Sequence, residues 1–132
     1  MSFLMAHLGE EFTSIITGNS SGLAMNSTQD LLELNITEGH YMFTATFSVF
    51  AGSVPANSLM SSKVTASYNG KQLAQESVNN QNQATITLSG ILNADGLHNF
   101  SLTANCFDCA RDGENAISWG YSDGYVNFIR VG

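Results

Sequence analysis

Cys106-Phe107-Asp108-Cys109 is the local pattern in this sequence that carries a chemical name. A redox Cys-x-x-Cys opens a helix, whose N-terminus lowers the thiolate pKa. Here the pair ends a strand-like run and enters an acidic loop, where carboxylates push that pKa the other way. A structural zinc needs two further ligands, and His7, His40 and His98 are scattered singly. The pair therefore reads first as two free cysteines, with Cys106 facing the core; a loop-tightening disulfide, a zinc site and a redox site follow in that order. Asp108, Asp112 and Glu114 lie around Gly113 and could offer oxygen ligands to calcium. Their spacing departs from the EF-hand loop, so a solvated acidic loop is the simpler reading and no metal is expected. Trp119, with Tyr121 and Tyr125, could form a platform for stacking a sugar, beside Asp108 and Arg111 of the neighbouring loop; buried core aromatics are the simpler reading. No nucleophile constellation stands out among sixteen serines and three histidines. A carboxylate pair for glycoside hydrolysis, about 5–10 Å apart, would be set by the fold, and nothing singles one out. The chain is expected not to be an enzyme and to need no cofactor.

These residues need a scaffold, and the sequence reads as strands. From Gly39 onward, Tyr41, Phe43, Ala45, Phe47 and Val49 alternate with His40, Met42, Thr44, Thr46, Ser48 and Phe50. Period-two alternation of aromatic and β-branched residues marks a strand with one buried face. Similar runs are Glu10 to Thr17, Leu23 to Ser27, Leu32 to Ile36, Lys63 to Tyr68, Lys71 to Val78, Ala84 to Leu88, His98 to Cys106, Ala116 to Tyr121 and Tyr125 to Val131. In the third, Leu32, Leu34 and Ile36 form the apolar set. Asn69-Gly70 is a strong hairpin signal, because a type I′ turn needs positive φ at both central residues. Gly18 to Gly22, Asp95-Gly96 and Ser122-Asp123-Gly124 read as turns, and Gly52 to Ser61, Asn79 to Gln83 and Phe107 to Asn115 as loops. Eight to ten strands without a long helix predict an all-β sandwich or barrel. The expected organisation is an N-terminal arm, 1–10, and a single domain, 11–132.

Composition narrows the function classes. The chain has 132 residues, of which 11% are charged, with a formal net charge of −7; a typical soluble domain carries about 25% charged residues. Ser, Thr, Asn and Gln make up about a third of the chain and solvate it instead. Lys63, Lys71, Arg111 and Arg130 cannot build a basic patch, so nucleic acid and anionic membrane surfaces are not expected partners. No apolar run is long enough for a membrane-spanning helix. Asn-x-Ser/Thr sequons begin at Asn19, Asn26, Asn35 and Asn99, and chance accounts for them in so Asn/Ser/Thr-rich a chain. The final run is apolar on both faces, and Met42 and Phe50 oppose the core series of the central strand; this surplus predicts an oligomer interface.

Gly39-His40-Tyr41-Met42-Phe43 resembles the Gly-x-Tyr-x-Phe signature of the tumour-necrosis-factor and complement globular-head jelly rolls. Gly120-Tyr121 and the apolar run from Tyr125 to Val131 look like the closing strands of that superfamily, and similar jelly rolls occur in phage fibre heads, head spikes and capsid decoration proteins. The resemblance implies a jelly-roll sandwich of antiparallel strands, a homotrimer and no catalytic site. It places Tyr41, Phe43, Tyr121, Tyr125 and Phe128 in the core or along a three-fold axis. A chain that starts at Met1 without collagen stalk, signal peptide or fibre shaft is expected to be a stand-alone virion-surface protein. The expected function is a trimeric capsid decoration or cement protein, contacting the major capsid protein or other virion proteins. Phe3, Leu4, Met5 and Leu8 in the apolar arm are the candidate capsid anchor. Two alternatives are a receptor-binding head that recognises host glycan or protein through the loops at Gly52–Ser61 and Phe107–Asn115, and a carbohydrate-binding module or enzyme.

Overall fold

A computed structural model describes residues 3–4, 9–16, 20–51, 59–81, 83–107 and 118–132. These form ten strands: β1 (Phe3–Leu4), β2 (Glu11–Ile16), β3 (Ser20–Ala24), β4 (Ser27–Ile36), β5 (Gly39–Ala51), β6 (Met60–Tyr68), β7 (Lys71–Gln81), β8 (Gln83–Ala94), β9 (His98–Phe107) and β10 (Ser118–Arg130). One sheet has the order β1-β4-β9-β6-β7 and the other β2-β10-β5-β8, with β3 also pairing with β10. Every pairing is antiparallel except β1 with β4, where Phe3 and Leu4 run parallel beside Asn35 and Ile36. The chain is an all-β, jelly-roll-like sandwich of two sheets. Among the described residues, no helix is long and apolar enough to cross a membrane.

The core is the set of inward positions that the alternation marks. Tyr41, Phe43, Ala45, Phe47 and Val49 of β5 are buried. They face Val64, Ala66 and Tyr68 of β6, Phe100, Leu102, Ala104 and Cys106 of β9, and are flanked by Ile86 and Leu88 of β8 and Val126 and Phe128 of β10 in their own sheet. Phe43, Phe100 and Phe128 pack as a trio across the two sheets, with ring centroids 5.1–6.3 Å apart and Phe100 edge-on to both partners. That offset geometry contributes about 0.5–1.5 kcal/mol per pair beyond area burial. Gly90 lies opposite Phe43 on β8, and an added Cβ would stand 2.9 Å from the ring, so its bare backbone makes room for the trio. The β6–β7 hairpin turns at Asn69 and Gly70, with φ of 50° and 78°, as a type I′ turn demands. Tyr68 anchors that end: its hydroxyl donates to the Gly96 carbonyl, and burial raises its pKa, with Asp95 adding to the effect.

Several boundaries differ from the sequence reading: β4 begins at Ser27 rather than Leu32, β8 runs to Ala94 rather than ending at Leu88, and β3 starts at Ser20 inside the Gly18–Gly22 turn cluster. Asn79 to Gln83 is largely strand rather than loop: β7 runs to Gln81 in one sheet and β8 starts at Gln83 in the other. Ser122-Asp123-Gly124 is not a turn but a register shift inside the continuous strand β10. In β4 a register shift between Asp30 and Leu32 buries Leu31 and leaves Leu32 half-buried, breaking the expected Leu32-Leu34-Ile36 series. The segment read as a loop up to Ser61 is already strand from Met60, whose side chain is buried.

Candidate functional site: two outer sheet faces

The outer face of the β2-β10-β5-β8 sheet is built in cross-strand rows. Ile129, Met42 and Ile91 are direct partners across β10, β5 and β8. Two steps along, Ile15, Tyr125, Thr46 and Thr87 form a second row across all four strands. Asn127, Thr44 and Ser89, with Thr13, lie between them, and Asn127 Nδ2 donates to Thr13 Oγ1 at 2.9 Å. Ser48 and Thr85 pair at 3.1 Å beyond. Met42 is 53% exposed, Ile91 64%, Tyr125 44% and Ile15 57%. Among the described residues, this face carries one formal charge, Glu11, on the edge strand. Large apolar side chains this exposed, on a face with a single formal charge, make it a candidate interaction surface.

The opposite outer face, on the β1-β4-β9-β6-β7 sheet, is polar. Thr28, Asn105, Lys63 and Ser77 form one row across β4, β9, β6 and β7, and Asp30, Thr103, Thr65 and Gln75 the next. A groove of about 390 Å³ is lined by Thr28, Lys63, Thr65, Thr103, Asn105 and Phe107. At one end of the sandwich, Glu38, His40, Asn93, Asp95 and Arg130 surround a cleft of about 440 Å³. There His40 Nδ1 is 2.6 Å from Asn93 Oδ1, and Arg130 Nε donates to the Gly132 carbonyl. Among the described residues, no group of three His, Cys, Asp or Glu side chains is arranged to hold a metal ion.

The residues singled out from sequence divide sharply. Tyr41, Phe43, Tyr121 and Phe128 are buried between the sheets, and Tyr125 alone of that set stands on the outer face. Trp119 is 0% exposed and its indole Nε1 donates to the Ala24 carbonyl at 3.0 Å, so its ring offers no surface for stacking a sugar. Phe3 and Leu4 pair along the β4 edge through β1. Met5, Leu8, Asp108, Cys109, Arg111, Asp112 and Glu114 lie outside the described residues. The groove of β4, β9 and β6 escaped the sequence reading because isolated threonines and asparagines carry no motif; only strand pairing brings them together. Gly18 to Gly22 has the spacing Gly-x-Ser-x-Gly, which reads from sequence only as a turn cluster. A nucleophile elbow joins a strand to a helix, whereas Ser20 opens strand β3.

The comparisons with known proteins speak to the fold. The chain shares its fold with a virus capsid protein. It superposes on the structure of the infectious bursal disease virus Gt strain with a TM-score of 0.63 and 12% identity, over 92% of this chain and 33% of that one. The VP2 protein in T=1 particles of the same virus, in a mutant form, gives 0.60 and 14% over 92% and 32%. The insecticidal δ-endotoxin Cry8Ea1 of Bacillus thuringiensis gives 0.51 and 10% over 88% and 20%. The chain thus spans about a third of the capsid proteins it resembles. No family model and no curated protein matches it.

Cys106 is a buried free thiol at the inner end of β9, 3.2 Å from the Ser62 hydroxyl. Burial pushes its pKa up to about 11 from 9.0. The thiolate is the reactive species, so the rise lowers the reactive fraction near neutral pH by about a hundredfold. In a Cys109→Ser variant, iodoacetamide at pH 8 should label Cys106 at least about a hundredfold more slowly in the folded chain than in urea. Equal rates would show an exposed, activated thiol.

Proposed function

We propose that this chain is a structural virion protein of a bacteriophage, a capsid decoration or cement protein that acts as a homotrimer on the virion surface. The observation that carries the reading is the outer face of β2-β10-β5-β8, which exposes large apolar side chains among hydroxyls and is almost free of charge on a chain of net charge −7. Copies that each carry −7 repel one another, and they dock with least cost where neither brings a charge into the contact. Away from Glu11 on its edge strand this face meets that condition, and Tyr125, Met42, Ile91 and Ile15 supply the apolar anchors. The fold shared with a capsid protein supports a place in a virus shell. The apolar arm, with Phe3, Leu4, Met5 and Leu8, is the segment that would contact capsid subunits.

Light scattering over a range of concentrations should give a mass near three times 14.1 kDa. The trimer should co-sediment with particles of the virus that encodes it, and a chain lacking Met1 to Leu8 should remain trimeric but stay in the supernatant. A monomer at every concentration overturns the trimer, and failure of the full-length trimer to bind particles overturns the decoration role.

A further inference from the structure

We propose that the outer face of the β1-β4-β9-β6-β7 sheet binds a neutral oligosaccharide in the groove lined by Thr28, Lys63, Thr65, Thr103, Asn105 and Phe107. This goes beyond assembly and uses the face opposite the uncharged one. The groove, at about 390 Å³, falls in the range of ligand sites, about 300–1,000 Å³. Its lining alternates hydroxyls and an amide, groups that both donate and accept, as sugar hydroxyls do. The array is pre-set by cross-strand bonds. Asn105 Nδ2 donates to Thr28 Oγ1 at 3.2 Å, and Gln75 Nε2 donates to Thr65 Oγ1 at 3.2 Å. Those bonds fix the side chains and leave the Thr28 and Thr65 hydroxyl protons and the Asn105 carbonyl to meet a ligand. Side chains already held in place lose little freedom on binding. Lys63, exposed at the centre of its row, adds up to three donors. Phe107 closes one end with a half-buried ring, against which the C–H face of a sugar can lie.

Charge selects the neutral class. Lys63 is the single cation among the lining residues, and Asp30 and Glu33 stand on β4 of the same outer face. A polyanion would need several cations to offset its charge, and the chain's field of −7 opposes its approach. A protein partner would need large apolar anchors, which the lining lacks apart from Phe107.

The test is a titration of the isotopically labelled full chain with maltohexaose, cellohexaose and chitohexaose, after a glycan array has screened a wider set. At least one neutral glycan should shift the backbone amides of Thr28, Lys63, Thr65, Thr103 and Asn105. Its affinity should be unchanged between low and high salt. The Thr103→Val/Asn105→Ala double variant should lose about tenfold or more in affinity. Thr85→Val, on the other sheet's outer face, should bind as the parent does. The proposal is overturned if no neutral glycan binds, if the shifts fall on the other sheet, if sulfated or carboxylated glycans bind more tightly, or if the folded double variant binds unchanged.

Discussion

Replacing Gly124 with alanine is expected to unfold the chain or to destabilise it by more than about 3 kcal/mol. Gly124 sits in the register shift of β10 between Ser122 and Tyr125, where the strand presses onto the central strand β5. A Cβ there would stand 2.0 Å from the Thr46 carbonyl oxygen, 2.6 Å from Phe47 Cβ and 2.8 Å from Phe47 Cα. Those atoms belong to the backbone and first side-chain carbon of a strand paired on both sides, so no rotamer change relieves the clash. To fit the methyl group, β10 must lift off β5 and take Val126 and Phe128 out of the core with it. Gly70 provides the contrast. Its φ of 78° also favours glycine, but a Cβ there meets nothing within 4 Å. Gly70→Ala should therefore cost only about 1 kcal/mol, through backbone strain alone. Urea unfolding of the two variants separates steric exclusion from conformational preference; near-equal midpoints would contradict the close approach of β10 to β5.

The same register shift shows why the sequence was legible in some strands and not in others. In β5, alternation runs unbroken from Tyr41 to Val49, and the buried set can be read directly. In β10 the inward residues are Trp119 and Tyr121 before the shift and Val126 and Phe128 after it. Strict alternation from Tyr121 would carry Tyr125 inward. The irregularity between Ser122 and Tyr125 changes the parity and turns Tyr125 out to solvent. Ser-Asp-Gly has the composition of a turn, and a bulge uses glycine for a related reason, so local composition cannot distinguish them. The shift in β4 between Asp30 and Leu32 misplaces Leu32 in the same way. The polar stretch from Asn79 to Gln83 contains no apolar alternation because β7 is an edge strand with much of its surface in solvent. Main-chain pairing with β6 holds its first part in the sheet regardless of side-chain polarity. The outward Met42 and the apolar final run were legible as surplus, but the assembled rows were not: Ile129–Met42–Ile91 and Thr28–Asn105–Lys63 each join residues from distant parts of the chain. Their character emerges only once strand order and register are fixed.

A single carboxylate in the middle of the charge-poor face should dissolve the proposed trimer and leave the sandwich intact. Met42 is the position of choice: it is 53% exposed, it lies on the central strand, and Ile129 and Ile91 flank it on either side. In the monomer, Met42→Glu puts a solvated side chain where a solvated side chain already stood. The cost is a small difference in strand preference and a few lost contacts with Ile91 and Ile129, about 1 kcal/mol or less. In the trimer the same carboxylate would be buried three times without a cationic partner, because the described residues of this face contain no lysine or arginine. Each buried unpaired charge costs several kcal/mol, and the three would lie near one another. The expected result is a mass of 14.1 kDa by light scattering at concentrations where the parent is trimeric, with a melting temperature set by the monomer. Thr65→Glu, a carboxylate on the opposite sheet, should leave the mass at the trimer value. If Met42→Glu stays trimeric and Thr65→Glu does not, the copies meet through the polar sheet, and the groove of Thr28, Thr103 and Asn105 is buried in the assembly rather than open to a glycan. The pair of variants thus decides both which face assembles the particle and which remains free to bind.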